Sequence, residues 1–260
     1  MILLYIVLAT VAGGLLSVLI AASLTVTLLS RIVRHLVSLS AGVLLGTALL
    51  NVLPEAFEGG KAGPQGLFAT LLGGLLFFFL LEKAELYRHQ HHHEGDTHHH
   101  HHGFDRAQAG RGGWAVLMGD SIHNFCDGII IAAAFLTDVQ LGVMTSLAII
   151  AHEIPQEVGD YIVLLNAGLS RRKALLYNAA SGLAAVAGGV IGYFIVGPWE
   201  AAFPYLLVVA ASSFIYVAVA DLIPQLQHRL SMADTAWQLI WLAGGLLLVV
   251  LATSSLHHPH

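Results

Sequence analysis

The chain has 260 residues, 57% of them hydrophobic and only 10% charged, with a formal net charge of −5. Its mean hydropathy is +0.76. Such a composition is far too apolar for a single water-soluble core and points to an all-α, polytopic membrane protein. Cys126 is the only cysteine, so an intrachain disulfide is excluded.

Apolar runs of about 20 residues, the length a helix needs to cross a bilayer, recur along the chain and predict eight spans. They cover about 2–29, 36–57, 64–86, 113–137, 140–165, 174–196, 202–226 and 236–256. The first, beginning MILLYIVLATVAGGLL, lacks a basic flank and stays apolar to about residue 29, so it reads as a spanning helix and not as a secretory signal. The second ends in NVLPEAF, which places Asn51, Pro54 and Glu55 at its end. After the third comes RHQHHHEGDTHHHHHGFDR, within a loop at about 88–111; its nine histidines stand at 89, 91–93 and 98–102. No apolar residue there can build a core, and imidazole binds zinc readily. The stretch is expected to be a cytoplasmic loop, either one that captures metal or a solvated linker.

Spans four and five carry ionisable residues at their centres. GDSIHNFCDG supplies Asp120, His123, Asn124 and Asp127, and AHEIPQEVGD supplies His152, Glu153, Gln156, Glu157 and Asp160. Spacings of three, four and seven or eight put each set on one helix face. Each such group costs roughly 2.5–3.5 kcal/mol at a bilayer centre on insertion scales, so the two stripes must share a polar interior. Imidazoles and carboxylates facing each other are a ligand set for a divalent transition metal. Cys126 falls off that face. Pro155 removes a backbone donor and frees a carbonyl near Ala151, which either lines the path or accompanies a plain kink.

Span seven ends in ADLIPQL, with Asp221, Pro224 and Gln225 spaced like Asn51, Pro54 and Glu55. The two segments run in opposite directions, as an inverted repeat of three helices on either side of a central pair requires. Glycine pairs at 13–14, 73–74, 188–189 and 244–245 suit close helix packing. Basic residues decide orientation. Arg31, Arg34, Lys83, Arg88, Arg106, Arg111, Arg171, Arg172, Lys173 and Arg229 all belong to one set of connections, and Lys61 alone to the other. The positive-inside rule makes the first set cytoplasmic and both termini external.

HNFCDG at 123–128 and HEIPQE at 152–157 resemble the fourth- and fifth-helix motifs of the ZIP zinc and iron transporters, in the branch with an HNFxDG and HEIPHE-type pair. The resemblance covers most of the chain. It implies a single transporter domain over 1–260 that moves Zn²⁺, or Fe²⁺, Mn²⁺ or Cd²⁺, into the cytoplasm. It also implies metal ligation by His123, Asn124, Asp127, His152, Glu153, Gln156 and Glu157, in an adjacent pair of sites. Asp120, Asp160, Asn51, Glu55 and Asp221 fall at flanking or pathway positions. Three positions depart from the pattern: Gln156 and Asn51 replace histidines, and Gln225 an acid. Fewer imidazoles weaken the preference for zinc over harder ions.

No cofactor is expected beyond the transported metal. The expected partners are metal ions, the lipid bilayer and, by resemblance, a second copy; nucleic acid is not among them. A plasma or bacterial inner membrane is the expected location. Two rival readings are an intramembrane zinc hydrolase, whose HExxH lacks its second histidine here, and a metal exporter.

Overall fold

The computed structural model describes residues 1–23, 26–58, 62–90, 106–166, 168–227 and 231–256, and these are almost wholly helical. Most of the histidine-rich segment, and His257, His258 and His260, lie outside the described residues. Among those described, the α-helices are α1 (Ile2–Ser23), α2 (Val26–Thr47), α3 (Leu53–Glu58), α4 (Pro64–Gln90), α5 (Arg106–Thr137), α6 (Val139–Asn166), α7 (Arg171–Val196), α8 (Phe203–Tyr216), α9 (Ile223–Gln227) and α10 (Met232–Leu256). The segment Ala48–Val52 joins α2 to α3, and Val217–Leu222 joins α8 to α9, each as an unbroken stretch of π-helix.

Several boundaries depart from the expected spans. Helix α2 starts at Val26 and not near 36, so Arg31 and Arg34 belong to a helix. Hydropathy cannot mark that break because the sequence is apolar on both sides of it. Helices α4 and α5 extend into the expected loop, to Gln90 and from Arg106, where straight-chain residues favour helix regardless of polarity.

Both π segments end two residues before a proline, Pro54 or Pro224. Proline lacks an N–H and its ring crowds the carbonyl four residues back, and a local π turn absorbs that misfit. Between α5 and α6 only Asp138 intervenes; its Oδ1 accepts the Leu141 N–H at 2.9 Å and caps the start of α6.

Among the described residues, six helical stretches are long and apolar enough to cross a membrane, so this is a multi-pass membrane protein: Ile2–Ile20, His35–Glu58, Pro64–Leu81, Arg171–Val196, Phe203–Gln227 and Met232–Ser254. The two long helices absent from that set are α5 and α6, whose hydropathy is diluted by the polar residues they carry.

The helices associate as two groups. Helix α5 packs along α7 and against α6, and α1 lies on α5, α6 and α7. In the second group α2 packs along α10 and touches α8, while α4 packs along α8. The groups meet where α2 lies on α6 and α8 on α5.

Glycines set the spacing within each group. A Cβ at Gly128 would run into the Ala185 carbonyl oxygen, and one at Gly188 into that of Phe125, so α5 and α7 touch backbone to backbone. Gly42 against Leu242, and Gly245 against Leu39, do the same for α2 and α10. Gly14 meets Gly182 between α1 and α7. This is the close approach expected of small residues in lipid, where packing and not water exclusion holds helices together.

The consequence can be measured with two matched substitutions. Gly128→Ala is expected to lower the thermal unfolding midpoint in detergent, because the methyl forces α5 from α7. Gly73→Ala, with nothing within 4 Å of the added Cβ, is expected to leave it unchanged or raise it through helix propensity, by about 1 kcal/mol at most.

Candidate metal centre

The facing stripes of α5 and α6 meet at mid-helix, and their side chains divide into two overlapping groups. His123, Asp127, His152 and Glu153 each offer one ligand atom, and these atoms all lie within 4.8 Å of one another. Asp120, Glu153 and Glu157 form a second such group. Glu153 belongs to both. All of these residues are buried except His123, which is partly exposed.

In the first group, His152 Nε2 lies 3.2 Å from Asp127 Oδ2 and 3.5 Å from Glu153 Oε1. His123 Nε2 lies 3.2 Å from His152 Nε2 and 3.8 Å from Asp127 Oδ2. His152 Nδ1 sits 3.3 Å from the Ala148 carbonyl. A carbonyl can only accept, so in this contact Nδ1 donates, which leaves Nε2 as the ring nitrogen able to ligate a metal. Phe214 of α8, fully buried, packs edge-on against His152 with ring centroids 6.5 Å apart and holds the imidazole from the far side.

The second group contains only oxygen donors. Both carboxylate oxygens of Glu153 and of Glu157 are buried with no hydrogen-bond partner among the described residues. Acceptors converging in a low-dielectric interior repel one another, and a cation between them turns that repulsion into attraction.

Asp120 organises the neighbouring amides. Its Oδ1 accepts from Asn124 Nδ2 at 3.0 Å and from Gln156 Nε2 at 3.2 Å. With both NH₂ groups tied to a carboxylate, the amide oxygens are the atoms left to meet a cation. Helix α7 completes the wall: Asn178 Nδ2 donates to the Glu157 carbonyl at 2.8 Å, and Ser181 lies beside the Asp120 carboxylate. Taken alone in the sequence, Asn178 and Ser181 are no more than polar residues suited to bridging helices. Their spacing of three on an apolar helix, matching the polar stripes of α5 and α6, was the available signal.

The remaining expected residues lie apart. Asp160, half-buried and one turn beyond Gln156, is in neither donor group. Asn51 accepts from Thr253 Oγ1 at 3.0 Å. With Glu55, Glu58, Asp138 and Gln140 it lines a separate cavity of about 530 Å³ at the end of α3 and the α5–α6 turn. Asp221 is exposed and accepts from Gln225 Nε2 at 3.0 Å. Cys126 is a free thiol, half-buried and outside both groups.

Comparison with known proteins decides the family. The family described as ZIP Zinc transporter matches the chain over residues 82–253, which includes α5, α6 and the whole centre. This chain belongs to the ZIP zinc transporter family. Among similar ZIP proteins, zinc transporter ZIP10 of Danio rerio is 44% identical over 115 residues, which is 44% of this chain and 14% of that protein. Zinc transporter ZIP6 of Homo sapiens is 42% identical over 116 residues, 45% of this chain and 15% of the relative. Zinc transporter ZIP4 of Homo sapiens is 45% identical over 111 residues, 43% and 17% respectively. The matched part of this ZIP chain thus spans about one-seventh to one-sixth of these relatives' length.

Gln156, in place of a second histidine in HEIPQE, gives the centre a testable departure. Gln156→His is expected to shift the competition between Zn²⁺ and Mn²⁺ toward zinc by about one order of magnitude, because imidazole favours later metals. Competition binding to the purified protein measures it, and an unchanged ratio means that this side chain does not face the ion.

Proposed function

We propose that the protein carries divalent transition-metal ions, zinc foremost, across the membrane into the cytoplasm through the α5–α6 centre, and that it is not an enzyme. The observation that carries the reading is the convergence of His123, Asp127, His152 and Glu153, two imidazoles and two carboxylates, on one buried point. Four nitrogen and oxygen donors suit zinc. The adjoining oxygen-only group, sharing Glu153, offers the ion a second resting place, and binding at several sites lets a cargo leave as well as arrive. In this reading Asn124, Gln156 and Glu157 also meet the ion. Asp120 orients the amides, Asp160 lies toward the cytoplasmic exit, and Asn51 and Glu55 line the external approach.

Eight membrane crossings are proposed: α1, α2–α3, α4, α5, α6, α7, α8–α9 and α10. The distribution of basic residues supports external termini. Helix pairing supports an inverted repeat of three, two and three helices. If α1 corresponds to α7, α2–α3 to α8–α9, α4 to α10 and α5 to α6, the contacts come in matching pairs. Helix α1 on α6 mirrors α7 on α5; α2 on α10 mirrors α8 on α4; α2 on α6 mirrors α8 on α5. The two π segments before Pro54 and Pro224 match as well.

Import of a divalent cation is downhill by about 4.6 kcal/mol per 100 mV of interior-negative potential, twice the value for a single charge. The histidine-rich segment between α4 and α5 then stands at the exit, where its imidazoles take up arriving metal. The proposed setting is a plasma or bacterial inner membrane, with a second copy of the chain as partner. A hydrolase would need a second histidine at position 156, and the Gln156 present there is tied to Asp120.

Proteoliposome uptake tests the proposal. Replacing His123, Asp127, His152 or Glu153 with Ala is expected to abolish saturable zinc uptake while the protein still inserts and purifies as a folded species. Full uptake by both His123→Ala and Glu153→Ala would contradict the assignment.

A further inference from the structure

Helix α6 contains a proline at its centre, one turn beyond the residue that precedes His152. Pro155 has no N–H, so the Ala151 carbonyl, four residues earlier, has lost its helical donor. An unpaired carbonyl deep in a membrane protein is costly, and some other group must satisfy it. The Ser40 hydroxyl of α2 does so, donating to the Ala151 carbonyl oxygen from 111 residues away in sequence. Ser40 is itself buried, 1% exposed.

The bond has three properties that a chance contact between helices would not combine. It crosses from one helix group to the other, at the α2–α6 contact where the groups meet. Its acceptor is the peptide joining Ala151 to His152, so the peptide it holds is the one that aims the imidazole. The adjacent turn is also held, because His152 Nδ1 engages the Ala148 carbonyl. The backbone leading into His152 is thus fixed at two carbonyls, one by the ligand itself and one by α2.

We propose that Ser40 is a positioning residue for the metal centre: its hydroxyl replaces the donor that Pro155 removes and fixes the α6 backbone that presents His152 to His123 and Asp127. The inference rests on the reading of the α5–α6 centre as the transport site, and it assigns to α2 a role that no ligand on α5 or α6 can supply. The proline and the serine form a pair. Without Pro155 the carbonyl would be satisfied within its own helix and Ser40 would be superfluous.

That dependence separates positioning from simple helix bridging. Ser40→Ala is expected to raise the zinc concentration for half-maximal uptake by about tenfold, the low end for groups that orient ligands, with a smaller change in maximal rate. Ser40→Thr, which keeps the hydroxyl, is expected to restore it. In a Pro155→Ala background, where residue 155 again donates to Ala151, Ser40→Ala is expected to have no further effect. Each variant is also read by the zinc-induced rise in unfolding midpoint that His152→Ala removes, so a variant that binds without transporting still reports.

An unchanged half-saturation in Ser40→Ala, or an equal loss with and without Pro155, overturns the proposal. Failure of the underlying site reading looks different: His152→Ala then retains zinc uptake and zinc stabilisation whatever stands at positions 40 and 155.

Discussion

Carboxylates and imidazoles buried at the middle of two packed helices of a membrane protein are the constraint on which the remaining structure depends. Each of these groups is expensive to remove from water, and lipid offers none of them a partner. They are tolerable only facing one another with a cation among them, which demands that α5 and α6 present their polar stripes at the same depth. Asp120 then holds the Asn124 and Gln156 amides so that their oxygens remain free. Helix α7 closes the open side with Asn178, and Phe214 backs the His152 ring.

Two kinds of helix contact surround that centre. Within each group, glycines bring backbones together, as at Gly128 with Ala185 and at Gly42 with Leu242. Such seams leave no room for one helix to shift past the other without a clash. Between the groups the contacts named here run through side chains, Phe214 against His152 and Ser40 on Ala151. The boundary between the groups passes beside the centre.

Much of the site was legible in the sequence because helical spacing is a strong rule. Positions 120, 123, 124 and 127 must share a face, as must 152, 153, 156 and 157, and the cost of burying them requires that the faces meet. Spacing cannot say which donors converge, so the division into two groups joined by Glu153 came from the structure alone. So did the separation of Asn51 and Glu55 into their own cavity and the exposure of Asp221. The apolar runs at 113–137 and 140–165 mark α5 and α6, although the polar residues they carry keep both out of the most apolar set, and the start of α2 is hidden in a continuous apolar run. Pro155 signalled a free carbonyl near Ala151. Its partner Ser40 lies too far away in sequence for any local pattern to reveal.

The central claim is that two imidazoles and two carboxylates hold the transported ion between α5 and α6. Zinc X-ray absorption on purified protein lacking residues 91–105, loaded with one equivalent of metal, tests it most directly. The expected result is a nitrogen and oxygen shell at about 2.0–2.2 Å with the scattering signature of two histidines, reduced to one in His123→Ala and likewise in His152→Ala. A shell without imidazole, or one unchanged by both substitutions, would contradict it.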